Sequence, residues 1–138
     1  SIPSDLGTHF LQQQGKKKYG KYFNSVKLRV KAMKGGASGG TIASMGEMVV
    51  AAKADPQVRK DMGNPYLLCS EKHSYSIKQQ IIKGPTYDND FNSWTGPFIM
   101  EAINSRVVLR SNALNKMAYG KDFSYGEAML TGDGRTND

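Results

Sequence analysis

With one cysteine, Cys69, this 138-residue chain can form no internal disulfide and no cysteine-built zinc cage. Histidine is almost as scarce: His9 and His73 lie far apart, neither in an HxxxH or HExxH spacing, so a histidine metal centre has no support. No apolar run approaches the roughly 18 residues of a membrane-spanning helix, and no integral membrane segment is expected. The opening residues, Ser1-Ile2-Pro3-Ser4-Asp5, lack the basic-then-apolar order of a secretion signal. A reducing, cytoplasmic setting and a single domain over residues 1–138 are the corresponding expectations. The serine hydrolase elbow Gly-x-Ser-x-Gly is missing, and so is the dinucleotide fingerprint Gly-x-Gly-x-x-Gly.

Acidic residues are thin as well, with 12 against 19 lysines and arginines, for a formal charge of +7. The imbalance is local. No acid falls between Asp5 and Glu47, whereas Lys16, Lys17, Lys18, Lys21, Lys27, Arg29, Lys31 and Lys34 all do. Such a strip suits a solvated helix end and strand face, a nucleic-acid contact, or attraction of a phosphorylated or carboxylated ligand. No RNA- or DNA-binding signature accompanies it, so nucleic acid is not the expected partner.

What is present reads as alternating helices and strands. Ser4 or Asp5 caps a helix running through Leu6, Phe10 and Leu11 to about Gly15. From Ser25 to Met33, Val26, Leu28, Val30 and Ala32 alternate with Lys27, Arg29 and Lys31, the pattern of a half-buried strand with a wet outer face. Thr41 to Ala54 predicts a helix with Ile42, Met45 and Val49 on one stripe. Asp55-Pro56 starts a short helix that ends near Gly63. Ser74 to Ile82 has the composition of a weak strand, and Pro85 to Thr95 reads as loop. Pro97 to about Asn115 predicts a long helix burying Phe98, Ala102, Ile103, Val107 and Leu114. Phe123 to Leu130 predicts a last strand with Phe123, Tyr125 and Glu127 on one side. The fold class is therefore α+β, a small mixed or antiparallel sheet with helices on one face. Only three strands are evident, which suggests pairing with another chain or a place within a longer one.

Three segments stand out as carriers of chemistry. Lys34-Gly35-Gly36-Ala37-Ser38-Gly39-Gly40-Thr41 joins a predicted strand to a predicted helix, and its glycines let the backbone approach a ligand closely. It lacks the lysine that a phosphate-binding P-loop needs before its hydroxyl residue. Ser93-Trp94-Thr95-Gly96-Pro97-Phe98 carries the single tryptophan, suited either to stapling a helix or to lining a cleft. Arg106 and Arg110, four residues apart, share a helix face, as exposed residues or as a clasp for an acidic group. Cys69 sits among apolar residues as a small hydrophobe, and Asp88 and Asp90 fit loop solvation and turn chemistry.

Taken in order, Ser1 to Gly7, Gly35 to Ser44, Trp94 to Met100, Ile103 to Val108 with Arg110-Ser111, and Tyr119 to Tyr125 resemble the saccharopine dehydrogenase-like oxidoreductases, a group that includes the mycobacterial trans-acting enoyl reductases. The resemblance implies an NADP- or NAD-dependent enzyme with an N-terminal Rossmann domain and an inserted second domain. Residues 1–138 would be that second domain alone, without the Rossmann domain or the closing C-terminal segment. It implies a small-molecule substrate and a homodimer, with cofactor bound mainly outside this chain and no reductase activity in it alone. Ser1, Pro3, Ser4 and Asp5 would lie near the nicotinamide. Gly35, Gly36, Ser38, Gly39, Gly40 and Thr41 would form a loop over the cleft, and Trp94, Thr95, Phe98, Asn104 and Arg106 would line or support the substrate side. The competing expectation is a non-enzymatic binding or dimerisation module whose basic strip meets an anionic partner.

Overall fold

The computed structural model describes residues 2–31, 39–69 and 73–132. Its elements are α1 (Ile2–Tyr19), β1 (Ser25–Val30), α2 (Gly39–Ala54), α3 (Pro56–Met62), β2 (Thr86–Asp88), β3 (Ser93–Gly96), α4 (Glu101–Leu114) and β4 (Ser124–Gly132). The described strands form one mixed sheet in the order β1-β4-β3-β2, with β1 parallel to β4 and the other pairs antiparallel. The expected α+β class holds. Four strands are described where three were expected: the segment expected as loop carries both strands of the β2–β3 hairpin, while the one expected over residues 74–82 does not form.

α1 begins at Ile2, so Ser4 and Asp5 are not its cap but part of its first turn. Nor does it end at Gly15. That glycine is buried mid-helix against Phe23, where a β-carbon would come within 2.6 Å of the ring. Gly20 ends it instead: at φ +75° it takes the left-handed turn and its N–H donates to the Lys16 carbonyl at 2.9 Å. Lys16, Lys17 and Lys18 occupy the last turn, where the helix dipole favours cations.

Val26, Val108, Leu109, Phe123 and Tyr125 make the apolar core between α4 and the β1–β4 pair. Phe123, Tyr125 and Glu127 are all buried, as the strand pattern implied. α4 is a helix over the Val107-Val108-Leu109 run, but it starts at Glu101 rather than Pro97, and its phase differs from the expected one. The buried positions are Glu101, Asn104, Ser105, Val108, Leu109 and Asn112, whereas Ala102, Ile103 and Leu114 are exposed and Phe98 and Val107 only half-buried. Polar partners decide the phase: Asn112 donates to the Tyr75 hydroxyl at 3.0 Å and accepts the Tyr119 N–H at 2.9 Å.

Residues 74–82 do not form the expected strand. This segment is extended and fastened by side chains. Gln79 donates to the Phe123 carbonyl at 3.0 Å and accepts the Tyr125 N–H at 3.1 Å, standing in for a strand beside β4. Tyr75 stacks on Tyr66 at 4.7 Å and donates to the Leu109 carbonyl at 2.7 Å. Gln12 does for β1 what Gln79 does for β4, pairing with both the N–H and the carbonyl of Phe23 at 2.7 Å.

α3 follows the sequence closely. Asp55 caps it by accepting the Gln57 N–H at 2.8 Å, Pro56 occupies its first turn, and Gly63 closes it. α2 packs on α3. Of the stripe Ile42, Met45 and Val49, Val49 is exposed, and the other two side chains lie outside the described part of the structure.

Candidate functional site

Strand register divides the sheet's chemistry between its faces. Val26 and Leu28 pair with Tyr125 and Glu127 on the α4 side, which turns Lys27 and Arg29 to the opposite side. There a cleft of about 580 Å³ opens, lined by Lys27, Arg29, Asp88 and Thr95 from the sheet and by Ile77 and Gln80 from the extended segment. The outer face of β1 is thus not simply wet. Arg29 donates through Nε to Asp88 Oδ2 at 2.8 Å, Lys27 reaches both Asp88 oxygens at 3.2 Å, and Lys27 also pairs with Asp90.

Asp88 goes beyond the expected turn chemistry. It does accept the Asp90 and Phe91 N–H groups, at 2.9 and 3.3 Å, and so shapes the β2–β3 turn. It is also buried and anchors two cations. Burial opposes its ionisation, but hydrogen bonds from Arg29, Lys27 and the two backbone donors outweigh that and draw its carboxyl down to about 2. The hydrogen bond to Asp90 raises Lys27 above the ordinary lysine value, against the lowering effect of burial. Neither group therefore exchanges a proton near neutral pH. The cleft can hold and orient a polar ligand, and Asp88 and Lys27 do not act as an acid/base pair in it.

A second polar cluster lies inside, between α1, α4 and β4. The Glu127 carboxyl accepts from Tyr125 Oη and, at 2.8 Å, from Asn104 Nδ2. Burial raises the Tyr125 hydroxyl well above its ordinary value, and its bond to Glu127 adds to that. Ser4 and Thr8 of α1 approach the same hydroxyl. Burial also raises Glu101; Ser105 pulls the other way, and the Glu127 charge raises it further. Asn104 Oδ1 is buried with no donor among the described residues. Tyr125 and Glu127 are themselves buried and also border the cleft, and the cluster's chemistry is that of a positioning network.

The structure distributes the expected site residues unevenly. Ser4 and Asn104 meet around Tyr125 and Glu127. Asp5 accepts from Ser111 Oγ at 2.8 Å, and Pro3 is exposed. Thr95 lines the cleft, its hydroxyl donating to the Thr86 carbonyl at 2.7 Å. Trp94 sits on β3 rather than at the start of a helix, half-exposed and edge-on to Tyr87 at 5.6 Å, while Phe98 is half-buried before α4. Arg106 clasps no acid among the described residues. It donates to the Met62, Asn64 and Ala102 carbonyls and ties the end of α3 to α4, and Arg110 is exposed. Ser1, Gly35, Gly36 and Ser38 lie outside the described residues; Gly39, Gly40 and Thr41 open α2. Gln12, Gln79, Glu127 and the Arg29–Asp88 pair went unnoticed in the sequence as a set, since their partners are up to dozens of residues distant.

Known proteins resemble this chain over nearly all of its length. It is 35% identical over 143 aligned positions to a Mycobacterium tuberculosis protein named "Putative trans-acting enoyl reductase", an alignment covering 96% of this chain and 33% of that protein. It is 31% identical over 142 positions to a protein of Mycobacterium ulcerans and 30% over 139 to one of Mycobacterium bovis, both named "Trans-acting enoyl reductase", with the same two coverages. These homologues support the trans-acting enoyl reductase family. The chain spans about a third of the length of the curated relatives it matches. No family model matches it, and no solved structure does.

Proposed function

We propose that residues 1–138 are the substrate-side and dimerisation domain of an NAD(P)-dependent, saccharopine dehydrogenase-like oxidoreductase that reduces an enoyl compound as part of a longer polypeptide. The observation that carries this is the match of 96% of the chain to about a third of an enoyl reductase's length. The cofactor, NADP or NAD, is held mainly by a domain outside this sequence, and the chain alone is inactive. When bound, the reduced nicotinamide supplies the hydride. The present domain positions the substrate.

The geometry fits that division. The cleft offers charges and hydroxyl groups, and Asp88 is held ionised and Lys27 protonated near neutral pH, as suits binding. Trp94 and Thr95 contribute to the substrate side. Asn104 and Arg106 act as supports, one through Glu127 and Tyr125, the other by holding α3. Pro3, Ser4 and Asp5, in the first turn of α1, approach the cofactor domain.

Turnover by the parent-length enzyme tests this. With an enoyl thioester as substrate, NADPH oxidation should proceed, and Trp94→Ala should raise KM about tenfold with little change in NADPH affinity. No NADPH oxidation with any enoyl substrate, or a Trp94→Ala effect confined to NADPH affinity, would contradict it.

A further inference from the structure

α1 packs inward by small and polar side chains. At about 100° per residue, Ser4, Thr8, Gln12 and Gly15 fall on one side, and Ile2, Leu6, Phe10 and Lys17 on the other. The polar and small side is the buried one. Ile2, Leu6 and Phe10 stand 69%, 61% and 66% exposed. Burying apolar side chains of this size is favourable, so three in a row left in water mark a surface shaped for a cover.

We propose that this stripe is the seat of the remaining part of the parent polypeptide, an inference that rests on the domain reading above. Three such side chains present on the order of 400 Å², so a two-fold pair through them buries on the order of 800 Å², short of the roughly 1,200 Å² of a stable complex. A covalently linked domain needs less. Contacts between domains of one chain begin near about 600 Å², and the linkage supplies a high effective concentration. The chemistry of the cover follows from α1. Its floor is apolar opposite Ile2, Leu6 and Phe10, and it is acidic beyond them, where Lys17 continues the stripe between Lys16 and Lys18 and no acid of this chain lies between Asp5 and Glu47.

Cysteine labelling tests the seat. Leu6→Cys and Phe10→Cys, each in a Cys69→Ser background, are made in the parent-length enzyme and in the 138-residue chain. Maleimide reaction rates are normalised to the unfolded form of each variant. Both positions are exposed, so neither substitution disturbs the core, and circular dichroism checks that each variant folds. The expected result is at least tenfold slower labelling in the parent. Equal rates in both lengths would overturn the proposal. Slow labelling of the short chain with a doubled mass would also overturn it, in favour of a second copy, and protection only on anionic vesicles would do so in favour of a membrane surface. NADPH binding by the same parent preparations keeps the two ideas apart. Binding with freely reactive cysteines sinks the seat alone, whereas protection without NADPH binding sinks the reductase reading.

Discussion

The two faces of α1 follow different rules. Its inner face buries Ser4, Thr8, Gln12 and Gly15, and Gln12 is fully enclosed because it completes the hydrogen bonding of Phe23. Its outer face carries the larger apolar side chains and leaves them in water. α4 repeats the contrast, burying Asn104, Ser105 and Asn112 while Ile103 and Leu114 are exposed. Within this domain hydrogen-bond complementarity sets the helix packing around a small apolar centre. Apolar surface is left over for contacts beyond it.

That contrast can be broken from the inside first. Phe123 is fully buried in the core, so Phe123→Ala should cost about 3–5 kcal/mol in urea unfolding. Next comes the polar packing. Gln12→Ala should cost about 1–3 kcal/mol by orphaning the Phe23 N–H and carbonyl, and Gln12→Met should not restore it despite similar volume. If Met matches Gln, the inner face is ordinary apolar packing.

A smaller effect should follow pH. Asp88 binds its proton less readily folded, at about 2, than at its ordinary value of 3.8. The unfolded chain therefore takes up protons first as pH falls. Stability supplied by the Arg29–Asp88–Lys27 cluster is fully present above about pH 4 and drains away toward pH 2. Asp88→Asn should flatten that part of the profile in thermal unfolding; an unchanged profile would place the acid sensitivity elsewhere. The smallest effect belongs outside. Leu6→Ser and Phe10→Ser should shift the short chain's stability by no more than about 0.5 kcal/mol, and a loss several times larger would mean the outer stripe is already packed.

Sequence alone captured what local chemistry dictates. The Asp55-Pro56 start of α3, the alternation of β1 and the shared side of Phe123, Tyr125 and Glu127 all depend on neighbours within a few residues. The phase of α4 did not come through, because apolar periodicity favours Ile103 and Val107, while Asn104 is held by Glu127 and Asn112 by Tyr75 and Tyr119. The β2–β3 hairpin was hidden for a related reason: Asp88 joins a local turn to Arg29, a residue 59 positions away. Of the candidate site, Thr95 reaches the cleft and Ser4 and Asn104 share the interior network. The partners of Arg106 were not legible, because a carbonyl cluster at the end of a neighbouring helix leaves no mark on the arginine's own surroundings in sequence.

The division of labour between this domain and a cofactor-binding one is tested most directly by NADPH titration of the 138-residue chain beside the parent-length protein, followed by cofactor fluorescence and Trp94 emission. Saturable binding by the parent alone is the predicted result. Tight NADPH binding by the short chain would contradict it and move the cofactor site onto the segment from Gly35 to Gly40.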